Sequence, residues 1–306
     1  MTSKVAFITG ASRGIGKAVA IDLARNGFDV AITARTVNAG EQREHSSTVA
    51  ATDDSPLPGS LSETAALIRE TGQQALAVPA DLLDQASLGA AVTTVLERWG
   101  RIDLVVHNGR YIGPGHMDQF LDTPIDLIER QLQANVIAPL VINRLVLPSM
   151  IERGDGTIVD ITSASGYADP VKPAGQGGWG MGYGISKGAF HRVAGFLAVE
   201  LADKGIRCYN VQPGLVATER IGQDMAKFGI ANVGAPPEVV ARVVSWLATD
   251  DEAPAFNGRT LEAQWFCHQR KLLSGWDGPT RNDNSIRYDD AAANLMAFEA
   301  QWENAG

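Results

Sequence analysis

Tyr183 and Lys187 are the first and last residues of Tyr183-Gly184-Ile185-Ser186-Lys187. On a helix this spacing puts both side chains on one face, a single turn from each other. A phenol ordinarily titrates near ~10 and exchanges protons poorly at neutral pH. A cation held beside it favours the phenolate and lowers that value, so the pair can work as a tuned general acid or base. The same spacing also arises by chance on helix surfaces. What the pair does depends on the elements around it.

The chain begins with Val5-Ala6-Phe7-Ile8-Thr9, a short apolar run of β-formers that reads as a buried strand. Gly10-Ala11-Ser12-Arg13-Gly14-Ile15-Gly16 follows, and then an apolar helical pattern through Ala20 and Leu23. Strand, glycine loop and helix form the context in which backbone N–H groups meet a pyrophosphate at a helix N-terminus. Gly10, Ser12, Arg13, Gly14, Ile15 and Gly16 are therefore expected to bind a dinucleotide. The second strand, Asp29 to Thr33, ends in Ala34-Arg35-Thr36. An acidic residue there would take a ribose hydroxyl, whereas arginine suits a 2′-phosphate. Arg35, with Arg13 as a second guanidinium, makes NADP(H) the expected cofactor, with NAD(H) possible.

Residues 37–60 are polar and contain Pro56-Leu57-Pro58-Gly59, which reads as an insertion between the second strand and its helix. Ser60 and Glu63 form a candidate capping box, so a helix should start at Leu61. Ala75 to Val78 is a third strand, followed by Asp81 and Leu82. Asp81 could accept from adenine or cap the next turn. The stripe Leu88, Ala91, Val92, Val95, Leu96 and Trp99 is a core-facing helix. Leu104 to Val106 is a fourth strand, with His107-Asn108-Gly109-Arg110 at its end. A helix over about 125–146 carries Asn135 among apolar neighbours. Thr157 to Ile161 is the fifth strand and leads to Ser163. A Gly- and Pro-rich loop, 167–182, precedes the Tyr183 helix. Arg207 to Val211, the helix opened by Pro236-Pro237-Glu238, and a short strand from Arg259 to Ala263 complete the pattern. Repeated strand–helix alternation implies an α/β fold, a Rossmann-like doubly wound parallel sheet in one domain over residues 1–263.

The composition narrows the function classes. With 45% hydrophobic and 20% charged residues, the chain reads as an ordinary globular protein. A net charge of -9 argues against a general nucleic-acid binder. Cys208 and Cys267 suggest neither a disulfide framework nor a metal cluster, and the five histidines have no metal-ligand spacing. The N-terminus runs straight into a strand, and no apolar run looks long enough to span a bilayer. A cytoplasmic protein with no membrane or nucleic-acid partner is expected.

Taken in order, these residues resemble the short-chain dehydrogenase/reductase family, in its classical subdivision. Thr9-Gly10-x-x-x-Gly14-Ile15-Gly16 matches the family's coenzyme motif, and Asn135, Ser163, Tyr183 and Lys187 fall on its four active positions. Pro213-Gly214-Leu215-Val216-Ala217-Thr218 looks like the segment that contacts the nicotinamide half. The resemblance covers about residues 4–263 and implies hydride transfer between a ketone or aldehyde and an alcohol. It implies that Ser163 holds the substrate oxygen and Tyr183 exchanges the proton. Lys187 would bind the nicotinamide ribose and tune Tyr183, and Asn135 would steady Lys187 through water. Asn108, Gly109, Pro213, Gly214, Val216 and Thr218 join the expected cofactor contacts. The alternatives are a catalytically silent NADP(H) sensor or scaffold on the same fold, or an enoyl or imine reductase.

Three features depart from the family pattern. Its usual Asn-Asn-Ala-Gly stands here as His107-Asn108-Gly109-Arg110. Arg110 either turns away or lines the pocket and favours an anionic or strongly polar substrate. The stretch from Ser163 to Tyr183 is longer than usual, so the extra residues should form a loop from which Trp179 and Met181 could line the pocket. The chain also runs on past residue 263. Tyr288, Ala291, Ala292, Leu295, Phe298 and Trp302 form an apolar helical stripe, expected to pack on its own domain or on a neighbouring subunit of a homodimer or homotetramer.

Overall fold

A computed structural model describes residues 3–229 and 234–279. Seven strands form one parallel sheet: β1 (Val5–Thr9), β2 (Asp29–Ala34), β3 (Ala75–Pro79), β4 (Leu104–His107), β5 (Gly156–Ile161), β6 (Ile206–Gln212) and β7 (Thr260–Glu262). Their spatial order is β3-β2-β1-β4-β5-β6-β7. The chain moves outward from β1 to β3, returns to place β4 beside β1, and then runs out the other way. This reversal opens a crevice at the carboxyl ends of β1 and β4, where such sheets bind ligands.

The strands are nearly continuous apolar runs because helices cover both faces. In β1, Ala6 and Ile8 face one layer while Val5 and Phe7 face the other. The first layer contains α1 (Gly14–Arg25) and α2 (Leu61–Glu70), with the later helices α8 (Pro237–Thr249) and α9 (Ala263–Gln269). The second contains α3 (Gln85–Trp99), α5 (Ala138–Arg153) and α6 (Met181–Leu201). The Ser60 hydroxyl accepts from the Glu63 N–H, so α2 starts at Leu61 as the capping pattern predicts. Asp84 caps α3 in the same way, and Gly100 ends it in the left-handed conformation.

The helix that carries Asn135 differs from its expectation. It runs as α4 (Ile125–Leu132), a π-helical turn at Gln133–Ile137, and then α5. A π turn adds one residue to the helical repeat and re-aims the side chains around it. By length and composition alone, the 29-residue run Ile125–Arg153 could cross a bilayer, contrary to the sequence expectation. Half of its most apolar stretch is buried in the protein, and α5 packs against α3, as in a core helix. The predicted apolar stripe from Tyr288 to Trp302 lies outside the described residues.

The 37–60 insertion is anchored at three places. The Ser47 carbonyl accepts from the Met117 N–H at 2.8 Å, and Asp118 accepts from Thr48 Oγ1 at 2.5 Å and from the Val49 N–H at 3.0 Å. Arg220, in the short helix α7 (Glu219–Asp224), donates to the His45 carbonyl and to Ser47 Oγ. Arg13 donates to the carbonyls of Pro58 and Gly59. Gly59 sits at φ +91, and a Cβ there would come within 2.5 Å of the Ser12 carbonyl oxygen. Glycine is therefore required for the insertion to close against the coenzyme loop.

Candidate active site

The strand ends converge on a cleft of about 450 Å³. Gly10, Ser12, Arg13, Gly14 and Ile15 line it from the loop after β1, and Arg35 lines it from the end of β2. Asp81 and Leu82 follow β3, Asn108, Gly109 and Arg110 follow β4, and Ser163 follows β5. Pro213, Gly214, Val216 and Thr218 follow β6, and Tyr183 enters from the first turn of α6. The topology thus gathers residues spread over most of the chain. Gly16, Asn135 and Lys187 support this lining from behind it.

Local contacts explain why the coenzyme loop takes this shape. The Asn108 carboxamide donates to the carbonyls of Thr9 and Gly10 at 3.1 and 3.0 Å. A Cβ on Gly16 would lie 2.5 Å from both Asn108 Nδ2 and the Gly10 carbonyl oxygen. Gly16 is therefore small so that α1 can seat against the β4 loop, a role distinct from the expected phosphate contact. Helix α1 has no side-chain cap of its own. Instead the Glu219 carboxylate accepts from the Gly14 N–H at 3.0 Å, across 205 residues of sequence. An anion acceptor already occupies the helix N-terminus, as the dipole and the unpaired N–H groups favour. This donor set fits the pyrophosphate of a dinucleotide.

The adenosine end differs in part from expectation. Arg13 has its Nε and Nη2 engaged by the insertion and by Thr36, and burial lowers its pKa. It clamps the insertion through these two nitrogens while lining the cleft. Arg35 lines the cleft, and its carbonyl accepts from Arg43, which pairs with Glu41 at 2.9 Å. Asp81 caps its own turn by accepting from the Leu83 N–H at 2.9 Å.

At the reacting end, the Ser163 hydroxyl accepts from the Ser165 N–H and hydroxyl. The Tyr183 ring packs edge-on against His116, with centroids 4.7 Å apart, and against Trp179 at 5.5 Å. The loop 167–182 folds inward, and its Gly180 N–H donates to the His116 carbonyl. Trp179 lines the cleft, but Met181 is about half exposed and lies off it, so only one of the two expected lining residues contributes.

Lys187 is 3% exposed and its ammonium donates to the Ile161 carbonyl at 2.8 Å. Burial lowers its pKa to about 7; the Arg110 charge adds to this, and Asp160 opposes it. Asp160 is fully buried in β5, and neither carboxylate oxygen has a hydrogen-bond partner among the described residues. Burial raises its pKa to about 8, against the pull of Lys187. His107, in the first position of the altered β4 motif, is buried and held by Asn143 at 2.8 Å. Burial lowers its pKa to about 4, so it is neutral at pH 7.

Asn135 is placed by the π turn. Its Oδ1 accepts from the Tyr111 N–H at 2.6 Å, and its Nδ2 donates to Ser186 Oγ at 2.9 Å. Ser186 in turn donates to the Tyr183 carbonyl. Asn135 thus ties the β4 loop to the first turn of α6 that carries Tyr183. The Asn135–Ser186 and Gly14–Glu219 contacts do not stand out in the sequence, because they join residues 51 and 205 positions apart.

This fold and cleft define a dinucleotide-binding oxidoreductase. The family profile for short chain dehydrogenase matches residues 4–54 and 47–227. An L-rhamnose 1-dehydrogenase (NAD(P)(+)) from Sphingomonas sp. (strain SKA58) is 30% identical over 261 residues, covering 82% of this chain and 91% of that protein. A cyclohexanol dehydrogenase from Rhodococcus sp. (strain TK6) is 28% identical over 82% of this chain and 91% of its own length. A solved short chain dehydrogenase from Mycobacterium paratuberculosis bound to NAD superposes with a TM-score of 0.67 at 26% identity, covering 85% of this chain and 95% of that one. The chain belongs to the short-chain dehydrogenase/reductase family and is an NAD(P)-dependent oxidoreductase.

Proposed function

We propose that this enzyme interconverts a ketone or aldehyde and an alcohol, uses NADP(H) in preference to NAD(H), and relies on Tyr183 as its general acid and base. The observation that carries this is the placement of Tyr183 and Ser163 on one cleft with the coenzyme loop and the segment after β6. The bound dinucleotide supplies or accepts the hydride.

The protein's own residues do the rest. The Ser163 hydroxyl is a donor for the substrate oxygen, where negative charge develops. Tyr183 gives that oxygen its proton in reduction and takes it back in oxidation. Lys187, buried one helical turn from Tyr183, would hold the nicotinamide ribose. Asn135, through Ser186, fixes the turn from which Tyr183 projects. Trp179 and Tyr111 give the pocket apolar surface that excludes water. Arg35 supports the NADP(H) preference because it lines the cleft at the end of β2.

Deuteride transfer tests the reaction. Reduced cofactor carrying deuterium should deliver it to the carbinol carbon of an alcohol product from a carbonyl panel. Label only in saturated products of C=C or C=N substrates would reject carbonyl reduction. Arg35→Ala should raise KM for NADPH by about tenfold, the loss of one charge-assisted contact, and leave KM for NADH little changed. Equal effects on both cofactors would remove Arg35 from phosphate recognition.

A further inference from the structure

Arg110 brings an un-neutralised cation to the reacting end of the cleft. It follows Gly109 in the loop after β4 and lines the cleft with Ser163 and Tyr183. Its guanidinium carbon lies 5.7 Å from the centroid of the Tyr183 ring. Nη1 donates to the Tyr111 carbonyl at 3.0 Å and faces His116 Nε2 at 3.4 Å. The His116 ring is buried, and burial and the Arg110 charge together hold it well below its usual protonation range. A neutral imidazole can accept from Nη1 and so fixes the direction of the guanidinium.

The remaining N–H groups, on Nε and Nη2, have no hydrogen-bond partner among the described residues, and no carboxylate there forms a salt bridge with Arg110. Keeping a guanidinium half-buried without a counter-charge is costly, and a bound anion would offset that cost. The other cleft cations are placed elsewhere. Arg13, Arg35 and Arg43 lie near the end of β2, Arg220 is held by the His45 carbonyl and Ser47 Oγ, Lys172 sits in the 167–182 loop, and Lys187 donates to the Ile161 carbonyl beneath the floor. Beyond the His116 and Tyr183 rings that Arg110 faces, the wall is apolar, where Trp179 packs with Met117, Met225, Leu215 and Ile221.

We propose that Arg110 binds an anionic group of the substrate, and that the enzyme works on a hydroxy acid and oxo acid pair with an apolar body. The carboxylate meets the free N–H groups of Arg110, the reacting oxygen meets Tyr183 and Ser163, and the hydrocarbon part packs on Trp179. Because the guanidinium lies so close to the Tyr183 ring, the two polar groups of the substrate are neighbours along its chain, as in 2- and 3-oxo acids. This deepens the assignment of Tyr183 and Ser163 to the reacting oxygen and rests on it. The reaction is the two-electron reduction of the ketone carbon by the reduced nicotinamide, with the proton on oxygen coming from Tyr183, or its reverse.

The test compares phenylpyruvate with its methyl ester, a pair that differs in charge at one end. The wild-type enzyme should favour the acid in kcat/KM, and Arg110→Met should lower the acid-to-ester ratio by about 30-fold, the loss expected for a charged hydrogen bond. Arg110→Lys should recover part of it. An unchanged ratio in Arg110→Met, or a wild-type enzyme that favours the ester, would overturn the proposal. Phenylacetate and phenylacetamide binding, read by tryptophan fluorescence in the presence of NADP+, separates this from failure of the hydride chemistry. If nothing turns over but phenylacetate binds and Arg110→Met weakens it about tenfold relative to the amide, the anion site stands without the reaction. Equal binding of acid and amide in both proteins would overturn the site itself.

Discussion

Lys187 and Asp160 are the charged groups hidden deepest beneath the cleft, at 3% and 0% exposure. Their burial leaves a mark on the pH dependence of stability. The Asp160 carboxyl is raised from 3.8 to about 8. A group raised in the folded state contributes stability that is complete below its unfolded value and is lost as pH rises through the folded one. The Asp160 contribution is therefore lost between pH 3.8 and about 8. Lys187 is lowered from 10.5 to about 7, so its cost is constant below about 7 and fades only as pH rises toward 10.5. The buried, neutral His107 and His116 also change stability between about pH 5 and 7, in the opposite direction, so the carboxyl is isolated by the difference between the wild type and a variant that lacks it. The Tm of Asp160→Asn relative to that of the wild type should rise across that range. Parallel curves would mean that Asp160 titrates as an ordinary surface carboxyl.

Elements, more than residues, decide what could be foreseen. Tyr183 and Lys187 share one helix, and Gly10, Gly14 and Gly16 share one turn, so local spacing exposed them. The strands and α2 were legible for the same reason: apolar runs and caps are local signals. The π turn at Gln133–Ile137 was not, because its sequence keeps an ordinary helical pattern and the tertiary partners of Asn135 select the wider turn. Met181 failed as a pocket residue because α6 begins there and turns it outward. The Glu219 contact with Gly14 is invisible in any local window, yet it bears directly on cofactor entry. A pyrophosphate that accepts from the Gly14 N–H must compete with this carboxylate. Glu219→Gln should tighten cofactor binding several-fold, measured as Kd by quenching of intrinsic fluorescence, because it removes a competing charge near the helix N-terminus. Weaker binding would show that Glu219 holds the cleft open.

Across the whole molecule, the parallel sheet does for the site what no single motif can. The strands are parallel, so their carboxyl ends share one edge of the sheet; the ends of β1 to β6 reach the cleft, which the insertion, loop 167–182 and α7 also line. The outer face of α6 remains apolar: Ile185, Phe196 and Val199 recur at helical spacing and are 47%, 60% and 87% exposed. Such a face suits burial against a second copy, in keeping with the proposed homodimer or homotetramer. Val199→Glu should shift the protein toward monomer in sedimentation velocity, and an unchanged mass would place the interface elsewhere.

The most direct measurement is single-turnover hydride transfer by Tyr183→Phe, paired with its cofactor Kd. The phenylalanine keeps the ring that packs against His116 and Trp179 and removes only the hydroxyl. If that hydroxyl carries the proton, the transfer rate should fall by about 10²–10⁴-fold while the cofactor Kd stays within about threefold. A variant that transfers hydride as fast as the wild type would contradict the assignment of Tyr183 as the acid and base of this site.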